Sequence, residues 1–88
     1  MKSTLEIKNI KGLHARASAK FVETVESHDA EAVVSKDGMD VSGSSIMGLM
    51  MLAASKGTTI DVETSGPEAE KLSSALRYLI DDRFGEGQ

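Results

Sequence analysis

The chain has 88 residues, 40% of them hydrophobic and 27% charged, with a net charge of -4, two histidines and no cysteine. A chain this short must draw its stability from packing, because disulfides and thiolate metal sites are excluded. The acid excess argues against a nucleic-acid partner, which needs a basic face, and two histidines make a poor basis for a His-rich metal site.

Aromatic bulk is limited to Phe21, Tyr78 and Phe84, so aliphatic residues, methionine and alanine must fill the core. Met1-Lys2-Ser3-Thr4 leads into an alternating segment and not into a signal-peptide pattern. The longest apolar stretch, Ile46 to Ala54, is too short to span a bilayer. The expectation is one cytoplasmic domain over residues 1–88, with no membrane segment, metal or cofactor.

Thr4 to Lys8 alternates polar and apolar residues, placing Leu5 and Ile7 on one face of a strand. Asn9-Ile10-Lys11-Gly12 breaks that pattern, and from Ala15 to Ser27 the period becomes helical. Phe21, Val22 and Val25 are expected to share a stripe with Ala15 and Ser18, with Lys20, Glu23 and Thr24 outward. Ala30 to Ser35 predicts a strand with Ala32 and Val34 inward, and Asp37-Gly38 is a hairpin signal returning through Met39 to Ser42.

Ser44 to Leu52 predicts a short helix opened by capping serines, with Lys56-Gly57 as its stop. Thr58 to Thr64 alternates again, with Ile60 and Val62 on one face. Gly66-Pro67-Glu68-Ala69-Glu70 places proline at the expected first helical position, followed by a stripe of Ala69, Leu72, Leu76, Leu79 and Ile80. The tail, Gly85-Glu86-Gly87-Gln88, is expected to fray. The order βαββαβα, with one apolar face per strand, predicts a two-layer α+β fold.

Gly12-Leu13-His14-Ala15-Arg16 lies between the first strand and the first helix. The opening amides of a helix have no intrahelical partner, and with the positive end of the helix dipole they favour an anion. Arg16 adds a cation able to fork onto phosphate oxygens. A neutral imidazole nitrogen is nucleophilic near neutral pH. The local pattern leaves two readings open: an anion-handling nucleophile, or a histidine that caps, packs or lies on the surface. His28, at the polar end of the helix beside Asp29, fits the second.

Gly12-Leu13-His14-Ala15-Arg16 resembles the active-site motif of the HPr family, the histidine-containing phosphocarriers of the bacterial phosphotransferase system. Thirty residues on, Ser44-Ser45-Ile46-Met47-Gly48-Leu49-Met50 resembles the second signature of that family, around its regulatory serine. The resemblance spans nearly the whole chain. It implies an open-faced β-sandwich, a four-stranded antiparallel sheet covered on one face by three helices. It also implies that His14 is phosphorylated on Nδ1, with Arg16 stabilising the phosphate. Enzyme I, charged by phosphoenolpyruvate, is then the donor, and IIA-type proteins are the acceptors. Ser45 matches the serine modified by HPr kinase/phosphorylase in many bacteria, with Ser44 beside it as an alternative.

The family usually has proline after the active-site arginine, and this chain has Ala17. Alanine keeps an amide donor that proline lacks, so the backbone of Ala15, Arg16 and Ala17 is the expected phosphate cradle. In the second helix, Leu49, Leu52 and Ala53 are expected in the core. Met47, with Ile46 or Met50, is expected to stay exposed and adapt to partners. The carrier is expected to be a monomer, and two alternatives to it have different weights. A non-catalytic regulatory module of a nitrogen-related branch would need only the Met-rich helix, whereas a self-contained enzyme lacks an acid–base pair, metal cluster or nucleotide loop.

Overall fold

A computed structural model describes residues 1–87. The elements are β1 (Lys2–Glu6), α1 (Ala15–Glu26), β2 (Glu31–Lys36), β3 (Met39–Ser42), α2 (Ile46–Met51), β4 (Thr59–Ser65) and α3 (Ala69–Asp81), followed by a 3-10 turn at Arg83–Gly85. The strands form one antiparallel sheet in the order β1-β4-β2-β3. Register follows from hydrophobic alternation: Leu5 lies opposite Ile60, and Val34 opposite Val62. These residues join Phe21, Val25, Leu49, Leu72, Leu76 and Ile80 in one buried cluster. Thr4, Glu6, Glu31, Val33, Asp61 and Glu63 alternate with them and are exposed. The three helices therefore cover one face and leave the other wet, as the open-faced sandwich requires.

Several local expectations shift. The α1 stripe is Ala17, Ser18, Phe21, Val22 and Val25, while Ala15 is exposed. Residues 17, 21 and 25 advance by four and stay on one face, whereas residue 15 is turned away from them. Lys20 does not simply face outward: its Nζ donates to the Phe84 carbonyl at 2.6 Å. Pro67 precedes α3 and does not open it. The Glu68 N–H donates to the Asp29 carbonyl and the Asp29 N–H to Glu68 Oε1, which ties residues 66–68 into a turn before the helix begins. That Asp29 amide is the main reason the Glu68 carboxyl sits below its ordinary value.

In α2, Leu49 and Leu52 are buried as expected, but Ala53 is exposed and Ala54 takes the core position. The chain leaves the helix through a left-handed residue at Ala53 (φ 52°), which turns the next side chain inward. The tail is a built turn through Glu86, against the expected fraying; Gln88 lies outside the described residues. Phe84 is fully buried in the main core, and the Gly85 and Glu86 amides donate to the Asp82 and Arg83 carbonyls.

Candidate functional site

The loop that carries His14 is fastened to the far end of the α2 segment. The Leu13 N–H donates to the Ala54 carbonyl at 2.9 Å, and the Leu13 side chain is buried. Gly12 is required at this crossing. Its φ is +65°, and a Cβ there would lie 2.3 Å from the Ala54 carbonyl oxygen. Behind the loop, Asn9 is fully buried, and its Nδ2 donates to the Gly12 carbonyl at 2.9 Å.

His14 is the N-cap residue of α1, with extended backbone (φ -74°, ψ -179°) and no side-chain cap on the helix. Its carbonyl accepts from the Ser18 N–H, the first intrahelical bond. The amides of Ala15, Arg16 and Ala17 thus form the uncapped first turn, with no intrahelical carbonyl to receive them. The Ala17 side chain is buried against the core, so this backbone is firmly placed.

The imidazole is 26% exposed and lies between two surfaces. On one side is an open cleft of about 300 Å3 lined by Ile10, Lys11, His14, Arg16, Lys20, Gly85 and Glu86. Arg16 is exposed and, among the described residues, forms no salt bridge, which leaves its guanidinium available to an anion. On the other side a shallower groove runs past Lys11, Leu13, His14, Met50, Ala53, Ala54 and Ser55. The structure thus brings together His14, Arg16 and the α1 amides, and places Met50 on the same rim.

Ile46, Met47 and Met51 are also exposed, at 40%, 72% and 65%, on a helix of only six residues. Ser45 is the N-cap of that helix, and its Oγ accepts from the Gly48 N–H at 2.9 Å. It does not line either surface beside His14. His28 holds the far end of α1: its Nδ1–H donates to the Thr24 carbonyl at 2.8 Å.

The residue that sequence reasoning missed is Glu86. Its Oε2 lies 2.5 Å from His14 Nε2, and its Oε1 accepts from Asn9 Nδ2 at 3.0 Å. Burial works against ionisation of this carboxyl. The hydrogen bonds from His14 and Asn9, with attraction to His14 and Lys11, outweigh it and hold the carboxyl below the ordinary carboxylate value. The available signals were slight: a single large aromatic just beyond a helix, and an acid two residues later.

Among the described residues, no cluster of histidine, cysteine and acids could hold a metal, and no helix is long and apolar enough to cross a membrane. Fold and cleft define a class: small open-faced sandwiches that present one imidazole at a helix start beside an arginine.

The family described as the PTS HPr component phosphorylation site matches residues 1–82. The phosphocarrier protein HPr of Neisseria meningitidis serogroup A is 50% identical over 88 residues, covering 100% of this chain and 99% of that one. The phosphocarrier protein NPr of Escherichia coli K12 is 37% identical over 87 residues, covering 98% and 97%. The crystal structure of HPr-C-His from Thermoanaerobacter tengcongensis superposes with a TM-score of 0.93 at 41% identity, covering 98% and 97%. This chain belongs to the HPr family, the phosphocarriers of the phosphotransferase system.

Proposed function

We propose that His14 accepts a phosphoryl group on Nδ1 from phosphoenolpyruvate-charged enzyme I and passes it to IIA-type acceptors. The observation that carries this reading is the half-open imidazole at an uncapped helix start, with Arg16 on the same cleft. Uncapped amides and the helix dipole favour the incoming negative charge, and Arg16 can fork onto its oxygens. Transfer then depends chiefly on positioning and charge stabilisation, part of it supplied by the partner. The amides of Ala15, Arg16 and Ala17 are the backbone cradle.

Residues 1–88 act as one monomeric cytoplasmic carrier domain, which itself needs no cofactor. Ile46, Met47 and Met50 form the docking surface. Their exposure on a short helix supports this, and methionine suits a surface that must meet both donor and acceptors. Ser45 is the regulatory site where HPr kinase/phosphorylase is present. A phosphate there would sit at the α2 N-terminus, which tolerates the charge, and would confront any acidic or apolar partner.

The test is intact mass after incubation with enzyme I, magnesium and phosphoenolpyruvate. Wild type should gain one acid-labile phosphoryl group and His14→Ala none. Equal labelling of the two would assign the chemistry to another residue.

A further inference from the structure

Phosphorylation at Nδ1 requires a ring whose proton is on Nε2, and a neutral histidine can carry it on either nitrogen unless a partner fixes it. The tail supplies one. Glu86 Oε2 stands 2.5 Å from His14 Nε2. An ionised carboxylate only accepts hydrogen bonds. The ring must therefore donate through Nε2–H, because the other tautomer would set a nitrogen lone pair against the carboxylate oxygen.

The depressed carboxyl of Glu86 fits an ionised acceptor at neutral pH. Asn9 Nδ2 fixes the second oxygen, and Asn9 is itself fully buried. The charged groups facing the cleft are Lys11 from the loop, Arg16 and Lys20 from α1, and Glu86 from the tail. Three cations oppose any positive charge on the ring, and Glu86 is the one acid among the described residues that line the cleft.

The backbone that delivers Glu86 is unusual. Arg83, Phe84 and Gly85 are consecutive left-handed residues, with φ of 53°, 54° and 74°. Arg83 and Phe84 are strained there, and such geometry persists only where its surroundings hold it. Here the anchors are the buried Phe84 ring, the Lys20 bond to the Phe84 carbonyl, and the Glu86 contacts with His14 and Asn9.

We propose that Glu86 is a positioning residue for His14, fixing the proton on Nε2 so that Nδ1 is the free nucleophilic nitrogen, and offsetting the positive charge of the phosphorylated ring. The proposal rests on the carrier reading of His14. In the forward step the Nδ1 lone pair forms the bond to phosphorus, while the bond from phosphorus to the donor breaks and its electrons return to the donor. No proton leaves the ring, which becomes an Nδ1-phosphorylated, Nε2–H imidazolium beside the Glu86 carboxylate. On delivery the phosphorus–nitrogen electrons return to Nδ1 and restore the neutral Nε2–H ring. The role of the carboxylate parallels that of the aspartate that orients the histidine of a serine-protease triad.

Glu86→Gln isolates this role: Asn9 and His14 bond to separate oxygens of Glu86, one of which becomes an NH2 that cannot accept, and the charge is lost. Imidazole 15N NMR of the unphosphorylated protein should show the Nε2–H tautomer in wild type and a mixture or the Nδ1–H form in Glu86→Gln. Phosphoryl acceptance from enzyme I should fall by about 10- to 100-fold, the usual scale for losing an outer partner that orients a histidine ligand. Glu86→Asp keeps the charge on a shorter stem and should restore the Nε2–H form and part of the rate.

A Gln variant that keeps both tautomer and rate overturns the proposal. So does an Asp variant no better than Gln, which would mark the tail as merely structural. Wild type that accepts no phosphoryl group would instead overturn the carrier reading, and the tautomer measurement would still decide the role of Glu86.

Discussion

The two surfaces that meet at His14 are built on opposite principles. The cleft toward the tail is polar and held from several directions: Lys11, Arg16, Lys20 and Glu86 line it, and the tail beneath is anchored by a buried phenylalanine. The groove toward α2 is shallower and more apolar, lined by Leu13, Met50, Ala53 and Ala54 with Lys11 at its edge, and Met47 and Met51 are exposed on the same helix as Met50. Fixed charges suit chemistry in which one atom must be placed, and adaptable thioethers suit a surface that meets partners of different shape. The two halves should therefore fail differently when altered, the first in the transfer step and the second in binding.

The largest effect is expected from cutting the anchor of the polar half. Phe84 has no exposed surface, and Phe→Ala in a core costs about 3–5 kcal/mol. Phe84→Ala should lower the chemical-denaturation midpoint accordingly and release Glu86 from His14. A loss below about 1 kcal/mol would show that the tail is not built into the core. The same contact has a pH signature. A carboxyl held below its ordinary value stabilises the fold above the unfolded-state value, and that contribution disappears as pH falls through the depressed one. Acid should thus loosen the Glu86 contact, an effect that Glu86→Gln removes.

Next is Ala17→Pro, which deletes one amide from the uncapped turn while keeping a residue that the first turn of a helix tolerates. If that amide holds the phosphoryl group or a water beside it, the loss is about 1.5–3 kcal/mol, the range for hydrogen bonds to charged groups. Phosphohistidine lifetime and transfer rate should both change. Unchanged values would remove Ala17 from the cradle.

Ser45→Asp tests the apolar half. It keeps a capping side chain at the start of α2 but puts a charge beside Met47. Thermal stability should hold, while the enzyme I concentration needed for half-maximal transfer rises by about tenfold, or roughly 1.4 kcal/mol. A wild-type rate at every enzyme I concentration would count against docking there.

The sheet and helices were legible because their signals are periodic. Leu5 and Ile7, Ala32 and Val34, and Ile60 and Val62 alternate, and all six are buried, although β1 ends at Glu6 and leaves Ile7 just beyond the strand. His14 and Arg16 were legible through their place at a helix start and through the family motif. The tail was not, because it has no period: one aromatic among glycines and acids looks like fraying until its neighbours in space are known. Glu86 meets Asn9 across 77 positions and His14 across 72, and nothing local encodes such pairings. The misplaced alanines have a similar cause. Ala15 against Ala17, and Ala53 against Ala54, differ in burial through helix phase and one left-handed residue, while the side chain itself is the same.

That left-handed residue yields the smallest prediction and the only stabilising one. Ala53 has φ 52°, a conformation that costs an L-residue with a Cβ roughly 1–2 kcal/mol and glycine little. Glycine also gains freedom in the unfolded chain, which works against the benefit. The net gain of Ala53→Gly should therefore be at most about 1 kcal/mol, visible as a small rise in the denaturation midpoint. Because Ala53 lies on the groove beside His14 and not on the polar cleft, the Nε2–H tautomer of His14 should be untouched. Any change in transfer should appear in the enzyme I concentration dependence alone. A tautomer shift in Ala53→Gly would mean that the two surfaces are coupled through the Ala54 carbonyl that holds Leu13, and that the division between chemistry and docking does not hold at this corner.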